Sequence, residues 1–251
     1  MAHPPLQHDI SVAFDTAKVA PEPFTAPGLA AGLSMRPLRR LANGALRSAI
    51  VDMPSGWTSE AARIVGGPQQ YFILKGRLRL GAQILTTNAF FAGFADETIP
   101  AMAAESDVSM IAIYDAPPAY AAPAVGANTV HVIPDPDKID PIVPEIDGKK
   151  LVGFERRVLW ENPANGADTR FLRIPGGFQG RGPNYHPVHE EIYHIWGDGG
   201  PDDKRKLSTG WFLWNPAYSV HGYHEHSPEG MVLLEWHDGK WAYVPYKPDA
   251  A

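Results

Sequence analysis

The chain has 251 residues, a net charge of −6 and no cysteine. At roughly 150 residues per domain that is one large domain or two small ones. The missing cysteines exclude disulfides, thiolate metal ligands and a cysteine nucleophile, and an acidic balance with no Lys/Arg stripe argues against nucleic acid or an anionic membrane as partner. Glycine (24) and proline (25) are abundant. Proline alone is about twice its usual share of roughly 5%, which excludes a bundle of long helices and favours short strands joined by turns.

In chain order, the first ten residues, MAHPPLQHDI, carry neither the basic start nor the apolar core of a signal peptide. No stretch approaches the roughly 20 apolar residues of a membrane span, so a soluble cytoplasmic protein is expected. Residues 1–37 are rich in Pro and Ala and read as an arm or edge strand. The next part, 38–132, carries apolar runs of strand length at 50–51, 71–74, 78–80, 90–91 and 110–114, separated by Gly, Pro, Asn and Asp. Residues 133–150, with four prolines, read as a linker. A second strand-rich part, 151–251, has runs at 171–174, 191–196, 211–214, 231–236 and 241–244.

The two strand-rich parts align without a gap at a constant offset of 121, from Ser48 and Thr169 to Asp115 and Trp236. Identities are few, six in 68 positions, so the correspondence rests on landmarks of one physical kind. MPSGW falls on IPGGF at a turn, QQYFILKG on EEIYHIWG in a strand ending at glycine, and Phe91 on Phe212. This predicts a duplicated small β domain.

The second copy concentrates the chemistry. Asn184, His186, His189, Glu190, Glu191 and His194 lie within eleven residues, and His221 arrives from a later strand. Histidine and carboxylate gathered on a β scaffold are how a nitrogen and oxygen metal site is built. Side chains at i and i+2 share a strand face, which puts Glu191 with Tyr193 and Ile195, and His194 with Glu190 and Ile192. With Glu191 taken as the inward carboxylate, His194 is expected outside the barrel.

At these residues the sequence resembles the cupin superfamily. In its first motif, G(X)5HXH(X)3-4E(X)6G, His186 matches the second histidine and Glu191 the glutamate, Glu190 being the alternative because its distance to Gly197 fits the closing interval; Asn184 replaces the first histidine. In the second, G(X)5PXG(X)2H(X)3N, Gly210, Pro216 and His221 match, whereas Tyr218 replaces the glycine and Glu225 the asparagine. The resemblance implies an all-β chain of two cupin-like jelly-roll barrels, a bicupin. Val65, Gln70 and Pro100 stand at the positions of His186, Glu191 and His221, so the first barrel is expected to lack a metal.

The resemblance further implies one divalent metal per chain, Fe(II) first with Zn, Mn or Ni as alternatives, held by His186, Glu191 and His221. His189 is the extra candidate ligand, and Tyr193 and Tyr218 are candidate proton donors. The leading expectation is an enzyme, a metal-dependent dioxygenase acting on a small oxygenated or aromatic compound. An oxygen-independent isomerase or lyase and a non-catalytic small-molecule binder are the alternatives. The Pro-rich arm and the tryptophans point to a homodimer. Neither a Gly-rich nucleotide loop nor a GxSxG elbow is present.

Overall fold

The computed structural model describes residues 4–8, 10–146, 148–202 and 205–247. Residues 1–3 and 9 of the expected arm lie outside them. Strands dominate, and among the described residues no helix is long and apolar enough to cross a membrane. The chain divides into two compact units. One runs from Val19 to Lys138; the other joins the chain up to Lys18 with everything from Ile139 onward.

Thirteen strands build the main sheets. They are β1 (Val12–Asp15), β2 (Glu22–Phe24), β3 (Leu33–Arg40), β4 (Leu46–Met53), β5 (Gln69–Lys75), β6 (Phe90–Gly93), β7 (Val108–Tyr114), β8 (His131–Ile133), β9 (Glu155–Glu161), β10 (Asp168–Ile174), β11 (Glu190–Gly197), β12 (Trp211–Asn215) and β13 (Met231–His237). In the first unit the sheet order is β2-β3-β4-β7-β5-β6-β8, and in the second β9-β10-β13-β11-β12-β1. Each unit adds shorter strands in a further four-stranded sheet. The 1–37 segment is therefore divided: β1 completes the edge of the second unit's sheet beside β12, while β2 and β3 belong to the first.

The strand registers of the two units match, though not at one offset. Gln69 pairs with Tyr114 and Gly93, and Glu190 pairs with His237 and Asn215. Strands β4 and β5 thus keep the offset of 121. Gly93 corresponds to Asn215 at 122 and Tyr114 to His237 at 123, so the gapless alignment slips by one residue in each of two connections. Gly76 and Gly197 end corresponding strands at φ +95° and +86°, and a Cβ at either would meet a backbone oxygen at 2.3 Å. Only glycine satisfies both the left-handed backbone and the close approach.

In the first unit Leu33, Met35, Val51, Tyr71, Ile73, Phe91, Met110 and Tyr114 share one buried cluster, and Ile99, Met102 and Tyr120 of that cluster line a cavity of about 420 Å³. The Tyr71 hydroxyl donates to Gln69 Oε1 at 2.5 Å and lies 2.8 Å from the Tyr120 hydroxyl. Burial pushes the Tyr120 phenol up to about 12. In the second unit Leu172, Ile174, Met231 and Leu233 form a buried cluster that borders a cavity of about 270 Å³.

Candidate metal centre

Registers across the second unit's sheet place its inward side chains in rows. Asp168, His237, Glu190 and Asn215 form one row; Arg170, Glu235, Ile192 and Leu213 form the next; Arg156, Leu172, Leu233 and His194 form the third. Alternation along β11 sends Glu190, Ile192 and His194 into the cavity. Glu191 and Tyr193 point to the opposite face, so Glu190 is the carboxylate that reaches the histidines. His194, expected outside, is inside, because the whole strand face follows that one assignment.

His186 follows the short strand Asn184–Tyr185, and His221 comes from the stretch just after Ser219–Val220. Asn184 and His221 exchange backbone hydrogen bonds of 2.9 Å each way, which locks the two segments together. Tyr218, at φ +60°, donates its N–H to the His186 carbonyl at 2.8 Å. The two Nε2 atoms of His186 and His221 face each other at 3.2 Å, and Glu190 carboxylate oxygens lie 3.3 Å from the first and 3.5 Å from the second. Each histidine turns its Nδ1 to a backbone carbonyl at 2.9 Å, Ala242 for His186 and Ser219 for His221. A carbonyl only accepts, so Nδ1 holds the proton and Nε2 presents a bare lone pair. Burial keeps both imidazoles neutral: it lowers His186 and takes His221 down to about 4.

Glu190 is held on its other side. Asn215 Nδ2 donates to Oε2 at 2.7 Å and Trp241 Nε1 to Oε1 at 3.3 Å, while His237 Nε2 lies 3.4 Å from Oε1. The opposite ring nitrogen of His237 is 2.6 Å from Asp168 Oδ1, so both nitrogens face carboxylates and the ring is an imidazolium. Burial opposes that charge, but Asp168 and Glu190 raise the His237 pKa to about 9. Burial alone would raise the Glu190 carboxyl; the hydrogen bond and charge of the His237 imidazolium hold it below the usual carboxylate range. Arg170 closes the network with hydrogen bonds to Asp168 at 2.7 Å and Glu235 at 3.2 Å, and its guanidinium stacks 4.6 Å from the Trp241 ring.

Two groups among the described residues have the spacing to hold a metal: His186, Glu190 and His221, and Glu190, Glu235 and His237. Their chemistry separates them. The first converges two lone pairs and a carboxylate with no proton between them, an arrangement that only a cation relieves. In the second, His237 has no free lone pair and Arg170 already neutralises Glu235. The first group fits a divalent ion, with Asn184 beside it offering a buried Oδ1 that has no hydrogen-bond partner.

Other expected site residues lie elsewhere. His189 Nδ1 accepts from Trp214 Nε1 and from the Ala217 backbone, both at 3.2 Å, and is not in the cluster. Neither Tyr193 nor Tyr218 lines the cavity. Sequence reading missed Asp168, Arg170, Glu235 and His237. Their signal was present: charged residues at alternate positions, Asp168 and Arg170 in DTRFLRI and Glu235 and His237 in the otherwise apolar MVLLEWH.

No protein-family model and no curated protein sequence matches the chain. Solved structures do. A candidate dioxygenase from Nostoc punctiforme matches with a TM-score of 0.82 at 18% identity, over 98% of this chain and 88% of that one. The Escherichia coli protein Ylba matches at 0.62 and 12% identity, over 92% of each chain. Oxalate decarboxylase of Bacillus subtilis matches at 0.58 and 12%, over 92% of this chain and 78% of its own. At these identities the likeness speaks to fold, and the fold of this chain is the cupin-type jelly roll.

Proposed function

We propose that the chain is a bicupin enzyme whose second unit is a metal-dependent oxygenase for a small, largely apolar compound bearing oxygen, with Fe(II) as the metal and no metal in the first unit. One observation carries this: two bare imidazole nitrogens 3.2 Å apart, both beside one carboxylate, at one end of a cavity whose middle is lined by Leu172, Ile192, Leu213 and Leu233. Two histidines and one carboxylate are the donor set of non-haem Fe(II) oxygenases. An ion held by three protein ligands keeps positions open and supplies redox and Lewis-acid chemistry to whatever enters them.

This chain's residues supply the rest. His186, Glu190 and His221 hold the ion; Ala242, Ser219, Asn215 and His237 fix their orientation. Leu172, Ile192, Leu213, Leu233 and Met231 keep water from the substrate's apolar body. Gln69 and Tyr114 at the register positions of Glu190 and His237 support confining the chemistry to the second unit.

The test is anaerobic reconstitution with Fe(II), followed by metal analysis and dioxygen consumption in the presence of candidate substrates. One Fe(II) per chain is expected, lost in Glu190→Gln and His221→Ala and retained in Glu191→Gln. Equal retention in Glu190→Gln would overturn the assignment. Turnover that proceeds without dioxygen would replace the oxygenase with the isomerase or lyase reading.

A further inference from the structure

The far end of the same cavity carries polar groups that the metal centre does not use. His194 and Arg156 stand in one row, with Leu172 and Leu233 between them. That row is four residues along β11 from Glu190, about 13 Å at 3.3 Å per residue. His194 is 3% exposed, lines the cavity, and its Nδ1 has no hydrogen-bond partner. Arg156 lines the cavity too. Its Nε is buried without a partner, and no carboxylate among the described residues forms an ion pair with it.

Arg156 is half-buried and water reaches part of its guanidinium, but leaving its buried Nε and the His194 Nδ1 without partners is costly unless a ligand completes them. The two groups ask for the same thing. A guanidinium fork matches a carboxylate in geometry and charge. The His194 ring, kept neutral by burial that takes its pKa down to about 4, adds one N–H without adding charge. A phosphate dianion would demand more donors than this apolar wall offers. Glu225 opens on the same cavity, but burial pushes its carboxyl up to about 7, and it is joined to Arg156 by no ion pair.

We propose that Arg156 and His194 form a second recognition site, which binds the carboxylate of an elongated substrate whose hydrocarbon or aryl body lies over Leu172 and Leu233. The placement of the substrate's other end at His186, Glu190 and His221 rests on the oxygenase reading above; the carboxylate site itself does not.

The test uses full-length protein stripped of metal by chelator and titrated calorimetrically with octanoate and with 1-octanol. Octanoate is expected to bind wild type at least roughly tenfold more tightly than the alcohol, the usual scale for a buried charge-assisted pair. Arg156→Leu should bring the two within about twofold while leaving octanol affinity unchanged, and His194→Phe should weaken octanoate several-fold. If Arg156→Leu binds neither, Arg156→Gln decides: loss of the preference supports the site, and full retention overturns it. Equal binding of the two probes by wild type also overturns it. So does a preference that appears only after Fe(II) is restored, since the carboxylate would then sit on the metal, an outcome that leaves the oxygenase reading intact. A preference seen without metal, in a protein that then fails to take up Fe(II), refutes the oxygenase reading alone.

Discussion

His237 should make the metal-free protein lose stability as the pH rises from 7 to 9. Its folded pKa of about 9 lies above the usual histidine value of about 6.5 because Asp168 and Glu190 grip both ring nitrogens. A group whose pKa is raised by folding stabilises fully below its unfolded pKa, and that contribution is lost as the pH climbs through the folded value. With these two values the contribution falls from about 2.6 kcal/mol at pH 7 to about 0.4 kcal/mol at pH 9, a loss of about 2 kcal/mol. The ring is fully buried and its partners are fixed by Arg170, Asn215 and Trp241, so little solvent screening reduces the effect. The assay is urea unfolding in chelator at pH 7, 8 and 9 for wild type and His237→Gln. The difference between the two profiles should shrink by about 2 kcal/mol across that window, other titrations being common to both. A constant difference would refute the imidazolium and with it the view that His237 orients Glu190 through its charge.

Further outcomes follow from the same geometry. Asp168→Asn breaks the charge on the far side of His237 and should weaken Fe(II) binding, by less than the roughly 10- to 100-fold usual for a group that touches a ligand directly, as read by anaerobic metal titration. Phe91→Ala opens a void in the first unit's buried cluster and should cost about 3–5 kcal/mol in urea unfolding, without lowering the Fe(II) content of the protein that remains folded. Gly197→Ala forces a side chain into the left-handed region against the Gly230 oxygen and should cost about 1–3 kcal/mol, visible as a lowered Tm.

The all-β fold was legible because composition, turn residues and short apolar runs agree on it, and the matching glycines that end β5 and β11 revealed corresponding strands. The site was half legible. His186 and His221 carry a spacing that survives in the sequence, whereas the choice between Glu190 and Glu191 depends on which face of β11 is inward. Both faces of that strand are largely buried, so hydrophobic alternation offers no sign. His194 was misplaced by the same one-residue ambiguity. The Asp168, His237 and Glu190 row joins three strands whose pairing spans up to 69 residues, and no local pattern shows that they meet. The slips in register between the units have a related cause: connections absorb insertions at little energetic cost, so an alignment without gaps drifts beyond the first two strands.

Strand β1 has a consequence for how the protein is made. Ser11, just before it, donates to Asn215 Oδ1 at 2.6 Å across 204 residues, and Asn215 in turn donates to Glu190. The segment that braces the centre's carboxylate is thus synthesised 204 residues before the asparagine it pairs with. Contacts so distant in sequence form late and slowly. During translation the first unit has all its strands while β1 still lacks its partner, and a bare strand edge in that interval is open to pairing with another chain. Capacity to bind metal should therefore emerge last in folding, as one of the final events of closing the second sheet.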